Sequence, residues 1–106
     1  MKYVGMGIGI NDVAPDEGRI KGRQEPVACG TWCTSNGKIT ILLMKYQNKN
    51  GEIIKISPIH VLSSSKKNYC GIPTQEFECE AEVDGILKRF RLNYDAEREE
   101  PWNVIW

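Results

Sequence analysis

From Val27 onward, short apolar and β-branched runs alternate with turn clusters, and no long stretch repeats apolar residues at helical spacing. Val27 to Thr34 ends at Ser35-Asn36-Gly37, Lys38 to Tyr46 is β-branched and apolar, and Asn50-Gly51 marks a hairpin. Glu52 to Leu62 follows, with Ile54, Ile56 and Leu62 on one face and Ile53, Ile59 and Val61 on the other. A strand apolar on both faces belongs inside a sandwich or a curled barrel. Pro58 cannot donate to a ladder, so it predicts a bulge or corner where the sheet bends. Trp102 to Trp106 reads as a last short strand after an acidic connection from Asp95 to Pro101.

The hairpin from Glu76 to Tyr94 is the clearest unit. With Asp84-Gly85 as its two turn residues, Val83 faces Ile86, Cys79 faces Phe90 and Phe77 faces Leu92, while Glu80 and Glu78 face Arg89 and Arg91. Turn chemistry, apolar pairing and charge pairing agree on one register. Around Asn50-Gly51 two registers compete. A two-residue turn sets Lys45 opposite Ile56, whereas a three-residue loop with Gly51 left-handed sets it opposite Lys55, and the like-charge pair argues against the second.

Residues 1–26 differ from the remainder, holding Gly5, Gly7, Gly9, Gly18, Gly22, Pro15 and Pro26. Within Tyr3 to Ile10, Val4, Met6, Ile8 and Ile10 alternate with Gly5, Gly7 and Gly9, a strand pattern with one face reduced to backbone. The expected fold is therefore all-β: a Gly-rich arm over 1–26, and one small domain over 27–106. That domain is an antiparallel meander of about six strands curled into a barrel or a strongly bent sheet.

Composition narrows the function more than it identifies it. Lysine plus arginine balances aspartate plus glutamate, so no global field recruits nucleic acid or an acidic membrane. The balance is uneven along the chain: Met1 to Cys70 holds ten basic and five acidic residues, Gly71 to Trp106 four and nine. That asymmetry suits internal pairing or a charged partner. The apolar stretch near the start carries three glycines and is too short for a signal-peptide core or a membrane span, so a cytoplasmic protein without a membrane partner is expected.

Cys29, Cys33, Cys70, Cys79 and His60 invite a zinc reading. Cys29-Gly-Thr-Trp-Cys33 is one residue longer than a zinc knuckle, and in an extended strand its sulfurs lie roughly 13 Å apart. Reduced cysteines serving as small core residues are expected instead, with no metal and no cofactor. His60 shares a strand face with Ile54, Ile56 and Leu62 and reads as a core histidine bonded to a carbonyl, not as a base beside Cys33 or a serine. Glu76, Glu78, Glu80 and Glu82 project from one face about 6.7 Å apart, and the arginines opposite favour ionisation, so this is a solvated ion-pair face.

Arg19-Ile-Lys-Gly-Arg23 resembles the Arg-x-x-x-Arg spacing with which PilZ domains grip cyclic di-GMP. Cys33-Thr-Ser-Asn-Gly37 departs from their second motif, with cysteine in the acidic or amide position, so membership is not claimed. Arg19, Lys21 and Arg23 could still contact phosphates, with Trp32 or Tyr46 as a stacking platform, which makes a nucleotide or single-stranded nucleic acid the alternative ligand. A thiol or metal enzyme ranks third. The first expectation is a non-catalytic protein-interaction module that binds a protein or itself as a homodimer. Val4, Met6, Ile8 and Ile10 of the arm and the aromatic surface of Trp102 and Trp106 would carry it.

Overall fold

A computed structural model describes residues 15–106. The arm residues Val4, Met6, Ile8 and Ile10, and the strand expected over Tyr3 to Ile10, lie outside the described residues. Those described form eight strands and no helix: β1 Gln24–Pro26, β2 Ala28–Cys33, β3 Ile39–Gln47, β4 Ile53–Ile56, β5 His60–Tyr69, β6 Ile72–Val83, β7 Ile86–Tyr94 and β8 Trp102–Ile105. They make two antiparallel sheets, a five-stranded one in the order β1-β8-β7-β6-β5 and a three-stranded one in the order β2-β3-β4. The all-β expectation holds, with more strands than the six anticipated. Among the described residues no ladder joins the two sheets, and no closed barrel is found.

The chain changes sheet twice. Val27 separates β1 from β2, and the segment with the cis Ser57-Pro58 peptide separates β4 from β5. Pro58 is thus the corner its chemistry predicts, but it divides the expected Glu52–Leu62 strand between two sheets. Residues on either side of the corner are consequently not covered on both faces: Ile53, Val61 and Leu62 are exposed, whereas Ile56 and Ile59 are buried.

The β6–β7 hairpin has the register read from the sequence, with Phe77 opposite Leu92, Cys79 opposite Phe90, Glu80 opposite Arg89 and Val83 opposite Ile86. Asp84 and Gly85 both take positive φ, 54° and 77°, as a two-residue hairpin turn requires. Cys70 and Gly71, at 52° and 82°, repeat that turn between β5 and β6. Phe77, Cys79, Ala81, Val83, Phe90, Leu92, Trp102 and Val104 point inward and meet Ile41, Met44 and Ile56 from the other sheet and Ile59 from the corner.

The β3–β4 hairpin takes the register that charge pairing argued against, with Lys45 opposite Lys55. Gly51 sits at φ 82° and closes a three-residue loop. This register turns Met44 and Ile56, and Tyr46 and Ile54, inward as pairs and leaves both lysines in water, where like charges repel weakly. Inward pairing outweighs the surface repulsion. A bulge in β3 assists, since Gly30 pairs with Leu43 and Thr31 with Ile41, skipping Leu42. Ile39 and Ile41 therefore share the inner face with Met44 and Tyr46 despite their sequence parity.

Residues 15–23 cross the outer face of the five-stranded sheet. Asp16 bridges in parallel to Asn68 at the edge strand, Arg91 Nη2 donates to the Lys21 carbonyl at 2.8 Å, and Trp106 N donates to the Arg23 carbonyl at 3.0 Å. Gly22, at φ 107°, lies so close that a Cβ there would meet Ile105 Cγ2 at 3.1 Å and the Trp106 carbonyl at 3.2 Å. Glu76 is only 4% exposed, which corrects its expected place on a solvated face. It accepts a 2.6 Å hydrogen bond from Tyr69 and one of 3.4 Å from Asn93, and its other oxygen is 3.6 Å from Arg91. Only Glu80, 3.4 Å from Arg89, keeps its expected ion pair at the surface.

Candidate functional site

β3 outruns its partner β4. Because β4 pairs with Met44–Gln47 only, Ile39 to Leu43 keep one backbone edge without a partner strand among the described residues. Past the Pro58 corner, β5 pairs along β6, and its opposite edge is free from His60 to Lys67 among the described residues. These two edges border one groove of about 810 Å³, with Lys38 to Ile41 on one side and Ile59 to Ser64 on the other. The core residues Ile41, Ile59 and Phe77 line it, together with Tyr94 and Gln75. A second bulge, where Val61 pairs with Cys79 and Ser63 with Glu78, leaves Leu62 without an opposite residue. Val61 and Leu62 are 37% and 46% exposed beside the groove.

Unpaired backbone N–H and C=O groups on both walls and apolar side chains below are what an added strand needs. Nucleophilic chemistry is not assembled there. His60, expected in the core, is exposed because Pro58 ends β4 before it and the corner turns its side chain outward, opposite Glu80. No side-chain hydrogen bond orients its imidazole among the described residues, as a general base would require.

The expected aromatic surface lies largely inside. Trp102 is 8% exposed and packs against Phe77 and Tyr94, with ring centroids 5.7 and 4.7 Å apart. Trp106 is half-buried between Tyr46 and Phe90, and its Nε1 donates to Glu25 at 2.7 Å. The exposed tryptophan is Trp32, on β2.

Arg19, Lys21 and Arg23 all lie exposed on the strap. Of the three, Arg23 alone reaches a hollow of about 430 Å³, which Lys88, Arg89, Asp84, Tyr46 and Trp106 also line. Two of its three cations are already engaged: Arg23 is 3.5 Å from Glu25 and its guanidinium lies 6.0 Å from the Trp106 ring centre, while Arg89 is paired with Glu80. A phosphate would compete with these carboxylates and with Asp84.

The four cysteines are free thiols. Cys79 is buried, Cys29 half-buried, and Cys33 and Cys70 exposed, so only two of the four act as core residues. Cys29 and Cys33 lie on one extended strand, β2. Burial, and the neighbouring Cys79, push the Cys29 thiol up to about 12; burial, and then Glu78, push Cys79 to about 12. Neither is a nucleophile near neutrality. No three histidine, cysteine, aspartate or glutamate side chains converge to hold a metal ion among the described residues. Nor is any helix among them long and apolar enough to cross a membrane.

No protein-family model matches the chain, and no curated protein or solved structure is significantly similar to it.

The groove escapes a sequence reading because its outer wall is polar. Ser63-Ser-Ser-Lys-Lys-Asn68 has no apolar alternation, and its serines and asparagine have the composition of a loop, yet all six lie in β5. Lys66 and Lys67 are the signal that was present, since lysines commonly mark an edge strand.

Proposed function

We propose that the protein is a non-catalytic protein-interaction module that takes an extended segment of a protein as an added strand in the groove between β3 and β5. The observation that carries this reading is the pair of strand edges, without a partner strand among the described residues, that face one groove over buried Ile41, Ile59 and Phe77. Backbone hydrogen bonds to both edges would supply affinity, and alternate apolar side chains entering the groove would supply selectivity. The second reading, a nucleotide or single-stranded nucleic acid held at Arg23, is favoured by one observation: Arg23, Tyr46 and Trp106 share a hollow.

The test uses full-length protein carrying Ile8→Asp, so that the chain's own apolar stretch does not compete. A synthetic peptide of residues Tyr3–Ile10 is titrated while backbone amide resonances are followed. Saturable shifts at Lys38 to Leu43 and His60 to Lys66, weakened about tenfold by adding Leu62→Asp, are the expected result. The reading is overturned if the groove amides stay still, or if a single-stranded oligonucleotide shifts Arg23, Lys88 and Arg89 while the peptide shifts nothing.

A further inference from the structure

We propose that the strand this groove takes is an acidic one: an extended segment of another protein whose aspartates or glutamates flank its apolar residues and meet Lys38 and Lys66 at one mouth of the groove. The inference rests on the strand-acceptor reading above and adds the charge of the partner.

The two lysines come from different sheets. Lys66 pairs directly with Gln75, as Ser64 pairs with Phe77, and residues opposite each other in an antiparallel ladder project to one face. Phe77 belongs to the core and lines the groove with Ser64 and Gln75, so Lys66 stands on the groove's side of β5. Lys38 lines the groove itself, one residue before β3 begins. The far end of β3 is fixed near the tip of the β6–β7 hairpin, where Tyr46 lies 5.8 Å from Trp106 between ring centroids and shares a hollow with Val83 and Asp84. The strand therefore starts toward the opposite end of the large sheet, where Gln75 pairs with Tyr94. Lys38 and Lys66 thus rise on the two walls at the same mouth.

Polarity is graded toward that mouth. Ile59, Val61 and Leu62 form the apolar end of one wall, whereas Ser63, Ser64 and Gln75 lead up to Lys66. A strand with apolar residues over Ile41, Ile59 and Phe77 consequently ends among hydroxyl, amide and ammonium groups.

Charge decides the partner. No carboxylate lines the groove among the described residues. The glutamates of β6 alternate onto the other face, where Glu76 is held by Tyr69, Asn93 and Arg91, and Glu80 by Arg89. Past the mouth, Asp16 accepts from the Gly18 and Cys70 amides at 2.7 and 3.1 Å. Lys38 and Lys66 are exposed and take part in no ion pair among the described residues. Two such ammonium groups attract an acidic segment and reject a basic one. The rings that line the groove, Phe77 and Tyr94, both pack on Trp102, unlike the exposed rings on which the bases of a nucleic acid stack, so a peptide carboxylate fits better than a phosphate.

The experiment repeats the amide titration above, in the same full-length protein, with three synthetic peptides that share an alternating Val-Thr core and carry glutamates, serines or lysines at both ends. At low ionic strength the glutamate peptide is expected to shift Lys38 to Leu43 and His60 to Lys66 and to bind about tenfold more tightly than the lysine peptide, with the serine peptide between them. Added salt should narrow that gap. The double variant Lys38→Glu/Lys66→Glu should reverse the order, while unchanged resonances along the β6–β7 ladder verify that it folds. If the three peptides shift the groove amides with equal affinity, or the double variant leaves their order unchanged, the inference is overturned and the strand-acceptor reading stands. If no peptide shifts the groove amides, that reading falls and this inference with it. A single-stranded oligonucleotide that shifts Lys38 and Lys66 where the glutamate peptide does not would assign the lysines to phosphates and overturn the acidic-peptide assignment.

Discussion

Glu76 and Glu80 stand on the same face of β6, and removing them should have very different consequences. Glu76→Ala takes away a carboxylate that is 4% exposed, along with a 2.6 Å bond from Tyr69, a 3.4 Å bond from Asn93 and a 3.6 Å ion pair with Arg91. Leaving a buried partner of a charged group unsatisfied costs about 1 to 3 kcal/mol, and breaking a fully buried ion pair about 3 to 5 kcal/mol. The Arg91 side chain is 33% exposed and keeps its bond to the Lys21 carbonyl, so water and backbone recover part of that loss. The expected total is about 2 to 4 kcal/mol. Glu80→Ala removes one 3.4 Å pair with an arginine whose side chain is 76% exposed, and should cost under about 1 kcal/mol. At roughly 4 to 8 °C per kcal/mol for a domain of this size, the Glu76 variant should melt at least about 8 °C lower than native, and the Glu80 variant within a few degrees of it. Urea titrations with unchanged slope would put the two on one scale. Equal losses in the two variants would refute the buried network of Tyr69, Asn93 and Arg91 around Glu76.

Three further outcomes follow from the packing. Phe90→Ala, which removes a ring 5.5 Å from Trp106 and opposite Cys79, should lower stability by about 3 to 5 kcal/mol in the same titrations. Gly22→Ala should destabilise by about 1 to 3 kcal/mol, because φ 107° is strained for alanine and its Cβ would press on Ile105 and the Trp106 carbonyl; an unchanged melting point would show that the strap does not lie tight on β8. For the thiols, the native pKa of Cys29 and Cys79 is raised to about 12, so both stay protonated as pH rises from 8 to 10. Maleimide or disulfide reagents should therefore label Cys33 and Cys70 in native protein over that range, and all four thiols only in denaturant; mass spectrometry showing labelled Cys79 in folded protein would contradict this.

The parts of this fold legible in the sequence are those where side-chain period, turn chemistry and pairing agree. The β6–β7 hairpin is the clearest case, with Asp84-Gly85 and two consistent faces, and the inward side of β8 follows from Trp102 and Val104. The failures have physical causes. The two bulges shift parity within β3 and β5, so alternation counted straight through Leu42 or Leu62 assigns the wrong faces. Glu76 has the spacing of a surface residue, yet Tyr69, Asn93 and Arg91 gather on its carboxylate, and Arg91 is itself held by the Lys21 carbonyl seventy residues earlier, a set of contacts no local pattern reports. For the site, the apolar alternation of Tyr3 to Ile10 suggested association, but the groove's own walls are backbone edges, which no side-chain pattern reports.

The placement of β8 governs the order in which the molecule can be assembled. It lies between β1 and β7, although Glu25 and Trp106, which it brings together, are 81 residues apart. An early strand and its strap must therefore wait for the last strand before they have a surface to join. The β5–β6–β7 meander can close first, through two tight turns and local pairs. Docking β1 closes the long loop and bears its entropy, so this side of the sheet should form late in folding and open early in unfolding, well before the hairpin at Asp84-Gly85 yields.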